Sequence, residues 1–165
     1  MRSNSFYRIR GALRLIPQYL ALAGLLCAQN SPAVTAVPPP RAVGVRNAAF
    51  SAKISFQVRN GYHVNSNAPN EDYLIPLRLT WNPLPLQLVE TVYPKPVLES
   101  YSFSSKPVSV YLGDFEIVAR FMVPATAALG PLMLNGKLRY QACNNSACFP
   151  PRTVEVKLPV EIRAK

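Results

Sequence analysis

Cys143 and Cys148 are the residues of this 165-residue chain best suited to chemistry. They lie in the run Tyr140-Gln141-Ala142-Cys143-Asn144-Asn145-Ser146-Ala147-Cys148-Phe149-Pro150-Pro151. Small or polar residues separate the thiols, and a Pro-Pro pair follows at once. If one strand ends at Cys143 and the chain returns from Cys148, the sulfurs face each other across the mouth of a hairpin. Antiparallel neighbours lie about 4.5–5.5 Å apart at Cα, which is within disulfide range. A thiol pair so placed is within reach of a partner protein, so it can exchange electrons as well as staple a loop.

Three chemistries stay open for the pair on these residues alone. A structural bridge closing so small a ring restrains the unfolded chain by only about 2 kcal/mol, against nearly 5 for a loop of about 100 residues. A bridge placed for stability is expected to span more chain. Redox exchange needs only a reachable disulfide and a thiolate. Metal binding needs more ligands than two thiolates, and His63 is the one histidine. A Cys2His set falls short of the four ligands of a structural zinc site, so no metal and no cofactor is expected.

Other catalytic constellations are missing. There is no G-x-S-x-G elbow. The carboxylate pair Glu71-Asp72 sits in a polar stretch, 65–72, that reads as a solvated loop rather than a glycosidase acid pair. The aromatic segment Tyr101-Ser102-Phe103 lies between Tyr93-Pro94-Lys95-Pro96 and an apolar run starting at Val108. It is a loop whose rings either plug the end of a sandwich or form a lid over the disulfide.

The compartment follows from the N-terminus. Arg2, Arg8, Arg10 and Arg14 precede a short apolar run, Leu15 to Cys27, interrupted by Pro17 and Gln18. Residues 1–28 therefore read as an export signal cleaved after Ala28, too short and broken for a membrane helix; an uncleaved anchor is the alternative. Cleavage lowers the cysteine count from three to two, an even number for an oxidising compartment. Cys143 and Cys148 are thus expected to pair. Cleavage also removes four of the 18 basic residues and none of the eight acidic ones, so the net charge drops from +10 to +6. The remaining charge is scattered, without the basic face that nucleic-acid binding requires.

The elements that must position the thiols read as strands. Residues 29–44, with Pro32 and Pro38-Pro39-Pro40, look like a semi-extended spacer. Beyond it Phe50, Ala52, Ile54, Phe56 and Val58 alternate with polar residues, a half-buried strand. Further strand-like runs are Leu74–Trp81, Leu86–Val92, Val108–Leu112, Phe115–Val123, Leu132–Gln141 and Thr153–Ile162. Turns are expected at Asn60-Gly61, Asn82-Pro83, Gly113-Asp114, Gly130-Pro131 and Asn144-Asn145. No segment keeps a helical period, and the 16 prolines after the signal oppose helices. Seven or eight short strands predict one all-β domain over 45–163, an antiparallel β-sandwich. About 120 residues can bury a sufficient core without help from a bridge.

The segments Gly61-Tyr62-His63-Val64-Asn65, the aromatic loop 93–103, and above all Tyr140-Gln141-Ala142-Cys143 through Cys148-Phe149-Pro150-Pro151 resemble the N-terminal periplasmic domain of the DsbD family. These are transmembrane thiol–disulfide reductants. The resemblance covers about residues 45–163. It implies an immunoglobulin-like fold, a periplasmic location and Cys143–Cys148 as the exchanging pair, with Cys148 the attacking sulfur. It implies a cap loop at Tyr101 and Phe103, and a site floor of Tyr62, His63, Asn65, Tyr140 and Gln141. Family members carry tyrosines where this chain has His63 and Asn65. The implied donor is a thioredoxin-like domain or a DsbD- or CcdA-like membrane reductant. The implied acceptors are periplasmic thiol proteins, among them disulfide isomerases and cytochrome c maturation factors. The family's full reductant continues into membrane helices and a second thioredoxin-like domain, which this sequence lacks, so separately encoded partners or a different task are expected.

Overall fold

Alternating apolar residues build the two main layers. The computed structural model describes residues 31–165, and the expected signal, 1–28, lies outside them. The strands are β1 (Val34–Ala36), β2 (Ala42–Val45), β3 (Ala49–Val58), β4 (His63–Asn65), β5 (Arg78–Asn82), β6 (Gln87–Val92), β7 (Val97–Glu99), β8 (Val108–Leu112), β9 (Asp114–Met122), β10 (Gly130–Tyr140), β11 (Ala142–Cys143) and β12 (Arg152–Arg163). Among the described residues there is no helix.

The first sheet runs β1-β3-β9-β6 and the second β2-β12-β10-β5. Ala52, Ile54, Phe56 and Val58 of β3 point inward beside Phe115, Ile117, Ala119 and Phe121 of β9, with Ile54 opposite Ile117 and Phe56 opposite Phe115. From the second sheet Leu134, Leu138 and Tyr140 of β10 join Val156, Leu158, Val160 and Ile162 of β12 in the same core. Each fully buried side chain of this size contributes about 1.5–3 kcal/mol. Gly136 keeps the second sheet open for Trp81, since a Cβ there would sit 2.9 Å from the indole ring. The fold is the expected immunoglobulin-like β-sandwich.

A third sheet, β11-β4-β8-β7, positions the thiols. Its two faces have different neighbours. Val64, Tyr111 and Ala142 belong to the sandwich core. Val108 and Val110 instead form a second small cluster with Leu74. Coverage on both faces explains why Val108, Ser109, Val110 and Tyr111 are all buried, without alternation. Gly113, at φ 58°, makes the tight turn from β8 into β9 that a side chain would strain.

Three expectations need correction. The proline-rich stretch is not merely a spacer: β1 pairs with β3, β2 pairs with β12, and Val34 is fully buried. The compact unit starts at Pro32. The run Leu74–Trp81 is strand only from Arg78, because Leu74 turns into the second cluster and the Ile75 peptide bonds to side chains instead of a ladder. The third is a detail within the antiparallel sandwich, which holds as expected: the β2–β12 pair is parallel, while every other named strand pair is antiparallel.

Candidate functional site

Cys143 and Cys148 form a disulfide, with Cα atoms 3.9 Å apart. That is closer than the spacing expected for ordinary strand neighbours. The loop between them explains the pinch. Asn144 N–H donates to the Ala147 carbonyl at 2.9 Å, and Asn144 Oδ1 accepts from Ser146 N–H at 2.9 Å and Ala147 N–H at 2.8 Å. Such an Asx turn is a local device of asparagine. Outside the bridge, Phe149 N–H donates to the Ala142 carbonyl at 2.9 Å. The hairpin is therefore closed by backbone and Asn144 on both sides of the sulfurs.

The two cysteines differ in environment. Cys143 is fully buried, paired in register with His63 across β11–β4. Cys148 is half-buried and packs on the cluster of Leu74, Val108 and Val110, as do Tyr101 and Phe103. Cys148 is the more exposed of the two.

His63 and Asn65 share one face of β4, two residues apart. In register, His63 stands opposite both Cys143 and Leu112, and Asn65 opposite Val110. The His63 ring stacks on Tyr101, with centroids 3.9 Å apart, and Tyr101 stacks on Phe103 at 5.3 Å. His63 is buried and its Nε2 has no hydrogen-bond partner. Burial pushes its pKa down to about 4, so the imidazole is neutral at pH 7. The Tyr101 hydroxyl is pushed up by burial and, secondarily, by the charge of Glu99.

Tyr101 and Phe103 lie in the loop from β7 to β8. Its tip is tied to the disulfide loop, Ser102 Oγ donating to the Asn145 carbonyl at 2.9 Å. Its base is held by Asn70, whose Nδ2 donates to the Pro107 carbonyl and whose Oδ1 accepts from Ser109 N–H. Lys106 pairs with Glu71 at 3.6 Å. The carboxylate pair 71–72 thus serves, through Glu71, to hold this loop.

A polar network lies behind Cys143. Asn65 Nδ2 donates to the Ile75 carbonyl at 3.1 Å and to Gln141 Oε1 at 2.9 Å. Gln141 Oε1 also accepts from Ile75 N–H at 2.9 Å, and Gln141 Nε2 donates to the Phe149 carbonyl at 3.2 Å. Asn65 Oδ1 is left facing Cys143 Sγ at 3.9 Å.

Of the residues expected at the site, Cys143, Cys148, His63, Asn65, Gln141, Tyr101 and Phe103 come together in this region. Tyr140 does not line it: its side chain follows the inward alternation of β10 and belongs to the sandwich core. Tyr62 stands at the flank, packed on that core, with Arg59 over its ring at 4.4 Å and Phe149 at 5.7 Å. Sequence reasoning missed Leu74, Val108 and Val110 as floor, and Ser102, Asn144 and Ile75 as braces. Only Asn144 carried a signal, as a turn former beside a cysteine. Among the described residues no group of three or more His, Cys, Asp or Glu side chains is placed to hold a metal ion.

The site is thus an all-β sandwich carrying a partly exposed disulfide next to an aromatic loop, and the family comparison places it among domains of a thiol:disulfide interchange family. The family described as thiol:disulfide interchange protein DsbD, N-terminal, matches residues 33–159. The chain belongs to that family. Among solved structures it is similar to the N-terminal periplasmic domain of ScsB from Proteus mirabilis, at 14% identity and TM-score 0.51, covering 76% of this chain and 44% of that one. This chain thus spans less than half of that structure's length. The seventh ScaB type I cohesin from Pseudobacteroides cellulosolvens is more distant, at 11% identity and TM-score 0.43, covering 78% and 92%. No curated protein matches. Among the described residues no helix is long and apolar enough to cross a membrane.

Proposed function

We propose that this domain carries reducing equivalents in the periplasm, from a thioredoxin-like domain or membrane reductant to periplasmic thiol proteins, through the Cys143–Cys148 pair. The observation that carries the reading is the asymmetric disulfide: Cys143 fully buried, Cys148 half-buried on the same small apolar cluster as Tyr101 and Phe103, on a domain of this family.

The chemistry is thiol–disulfide exchange. A donor thiolate attacks Cys148 Sγ, the Cys143–Cys148 bond breaks, and Cys143 leaves and takes a proton. The donor's second thiolate then displaces Cys148, leaving this domain as the dithiol and the donor oxidised. Toward the acceptor, Cys148, as thiolate, attacks one sulfur of a substrate disulfide; the substrate S–S bond breaks, its other sulfur leaves as thiolate and takes a proton, and a mixed disulfide forms. Cys143 then loses its proton and attacks Cys148 Sγ, which expels the substrate thiolate; two electrons have moved to substrate. The half-buried position of Cys148 favours it as the sulfur that meets both partners.

The test is the reduction potential of the pair, measured in glutathione buffers on the chain with Cys27→Ser. A value around −200 to −270 mV, the span of exchange proteins, is expected. A value below about −300 mV marks a structural bridge and removes the carrier function in favour of a binding module.

A further inference from the structure

We propose that Asn65 is a positioning residue that holds Cys143 as the protonated thiol of the reduced pair, and that Gln141 does so with it by fixing which way the Asn65 amide faces. The inference rests on the exchange reading and assigns the two sulfurs their unequal roles.

The orientation of Asn65 is set by groups that cannot be reversed. The Ile75 N–H can only donate, so the Gln141 atom it meets is the carbonyl oxygen. The Ile75 carbonyl can only accept, so the Asn65 atom it meets is the amide nitrogen. Gln141 Oε1 receives a second bond from that same nitrogen, and Gln141 Nε2 is engaged by the Phe149 carbonyl. One peptide residue therefore locks both amides. The remaining Asn65 atom, a carbonyl oxygen, faces Cys143 Sγ at 3.9 Å in a fully buried place.

In the disulfide this contact is no hydrogen bond, because the sulfur carries no proton. Once the bridge is reduced, Cys143 S–H can donate to Asn65 Oδ1. A thiolate at Cys143 would instead set negative charge against a lone pair, out of water. The proton therefore stays on Cys143 and the thiolate forms at Cys148. The same bond exists only in the dithiol, so it stabilises the reduced form over the oxidised one. A single hydrogen bond of ordinary net strength corresponds to roughly two- to tenfold in that equilibrium. Tenfold is about 30 mV for a two-electron couple.

The experiment uses the chain with Cys27→Ser, fully reduced. Each thiol is titrated separately by pH-dependent alkylation read by mass spectrometry, and the equilibrium with glutathione is measured in parallel. Asn65→Leu removes the acceptor. It should let Cys143 titrate at lower pH and shift the glutathione equilibrium roughly two- to tenfold toward the disulfide. Asn65→Asp gives up the two bonds that Nδ2 donates but keeps acceptor oxygens beside Cys143 and adds negative charge, and should move Cys143 titration to higher pH. A role in packing alone would not produce opposite shifts in the two variants. Identical Cys143 titration in the parent and both variants overturns the inference, even where all three exchange normally. A pair that never equilibrates with glutathione overturns the exchange reading instead, while the separate titrations still judge Asn65.

Discussion

The ring of Tyr101 lies flat on the imidazole of His63, centroids 3.9 Å apart and planes 11° from parallel. The aromatic loop is thus seated on β4, the strand that pairs with Cys143, as well as tied to the disulfide loop through Ser102. Phe103 continues the stack, parallel to Tyr101 within 4°. The loop is held by flat ring contacts and, at its tip, by the Ser102–Asn145 hydrogen bond, and these are interactions that can part without unfolding the sheets.

Loosening that loop should expose the sulfurs. Aromatic pairs contribute about 0.5–1.5 kcal/mol beyond area, so Tyr101→Ala with Phe103→Ala should speed reduction by a small thiol such as dithiothreitol by roughly two- to tenfold. Ser102→Ala, which removes the bond to Asn145, should give a smaller rise of the same sign. Stopped-flow reduction kinetics measure both. Unchanged rates would show that the loop does not gate the disulfide.

His63 should make folding stability pH-dependent. Its folded pKa is about 4, below the 6.5 of an unfolded histidine. As pH falls, the unfolded chain takes up the proton first. The stabilisation from the neutral buried ring is complete above pH 6.5 and is lost as pH falls from 6.5 to 4. The loss reaches up to about 3 kcal/mol, at 1.36 kcal/mol per unit. Urea melts of the oxidised domain across this range, beside His63→Phe, give the check: the variant should lose most of the slope.

Replacing the cysteines one at a time should separate their roles. With Cys143→Ser, the remaining Cys148 thiol should accumulate a mixed disulfide with a thioredoxin-like partner and react readily with a small alkylating reagent. With Cys148→Ser, the buried Cys143 should do neither at a comparable rate. Equal trapping by the two variants on non-reducing gels would contradict the assignment.

The proline-rich N-terminal stretch should prove part of the folded domain. Val34 is fully buried and sits opposite Val58 of β3. Val34→Asp places an unpaired charge in that core and should destabilise by at least 3 kcal/mol on the scale of broken buried pairs. A thermal midpoint unchanged by Val34→Asp would return the stretch to spacer status.

The long strands were legible because one face is buried and the other wet. β3, β9, β10 and β12 keep period two through most of their length, so Ile54, Ile117, Leu138 and Leu158 are visible as core. β1, β4, β7 and β11 are two or three residues long, too short for any period to show. β4 also defeats alternation because His63, Val64 and Asn65 are all buried, Val64 against the sandwich, His63 against Tyr101, and Asn65 in the polar network with Ile75 and Gln141. At the site the cysteines announced themselves by spacing. The Asn65–Gln141–Ile75 lock was invisible, since it joins a side chain to a backbone 66 residues away in sequence.

The turn at Asn144 has a consequence for timing. Its three hydrogen bonds, with the Phe149-to-Ala142 bond beyond the cysteines, hold the loop without any contribution from sulfur. Reduction therefore cuts the S–S bond in a frame that stays shut, and the freed sulfurs remain neighbours. Their local concentration is that of a preorganised intramolecular reaction, on the order of 10⁵ M or more for well-aligned groups. Under the proposed exchange, a substrate captured by Cys148 would meet Cys143 without a search, and the covalent complex would dissolve quickly. A domain working in this way would visit its partners briefly and could not be held hostage by any one of them.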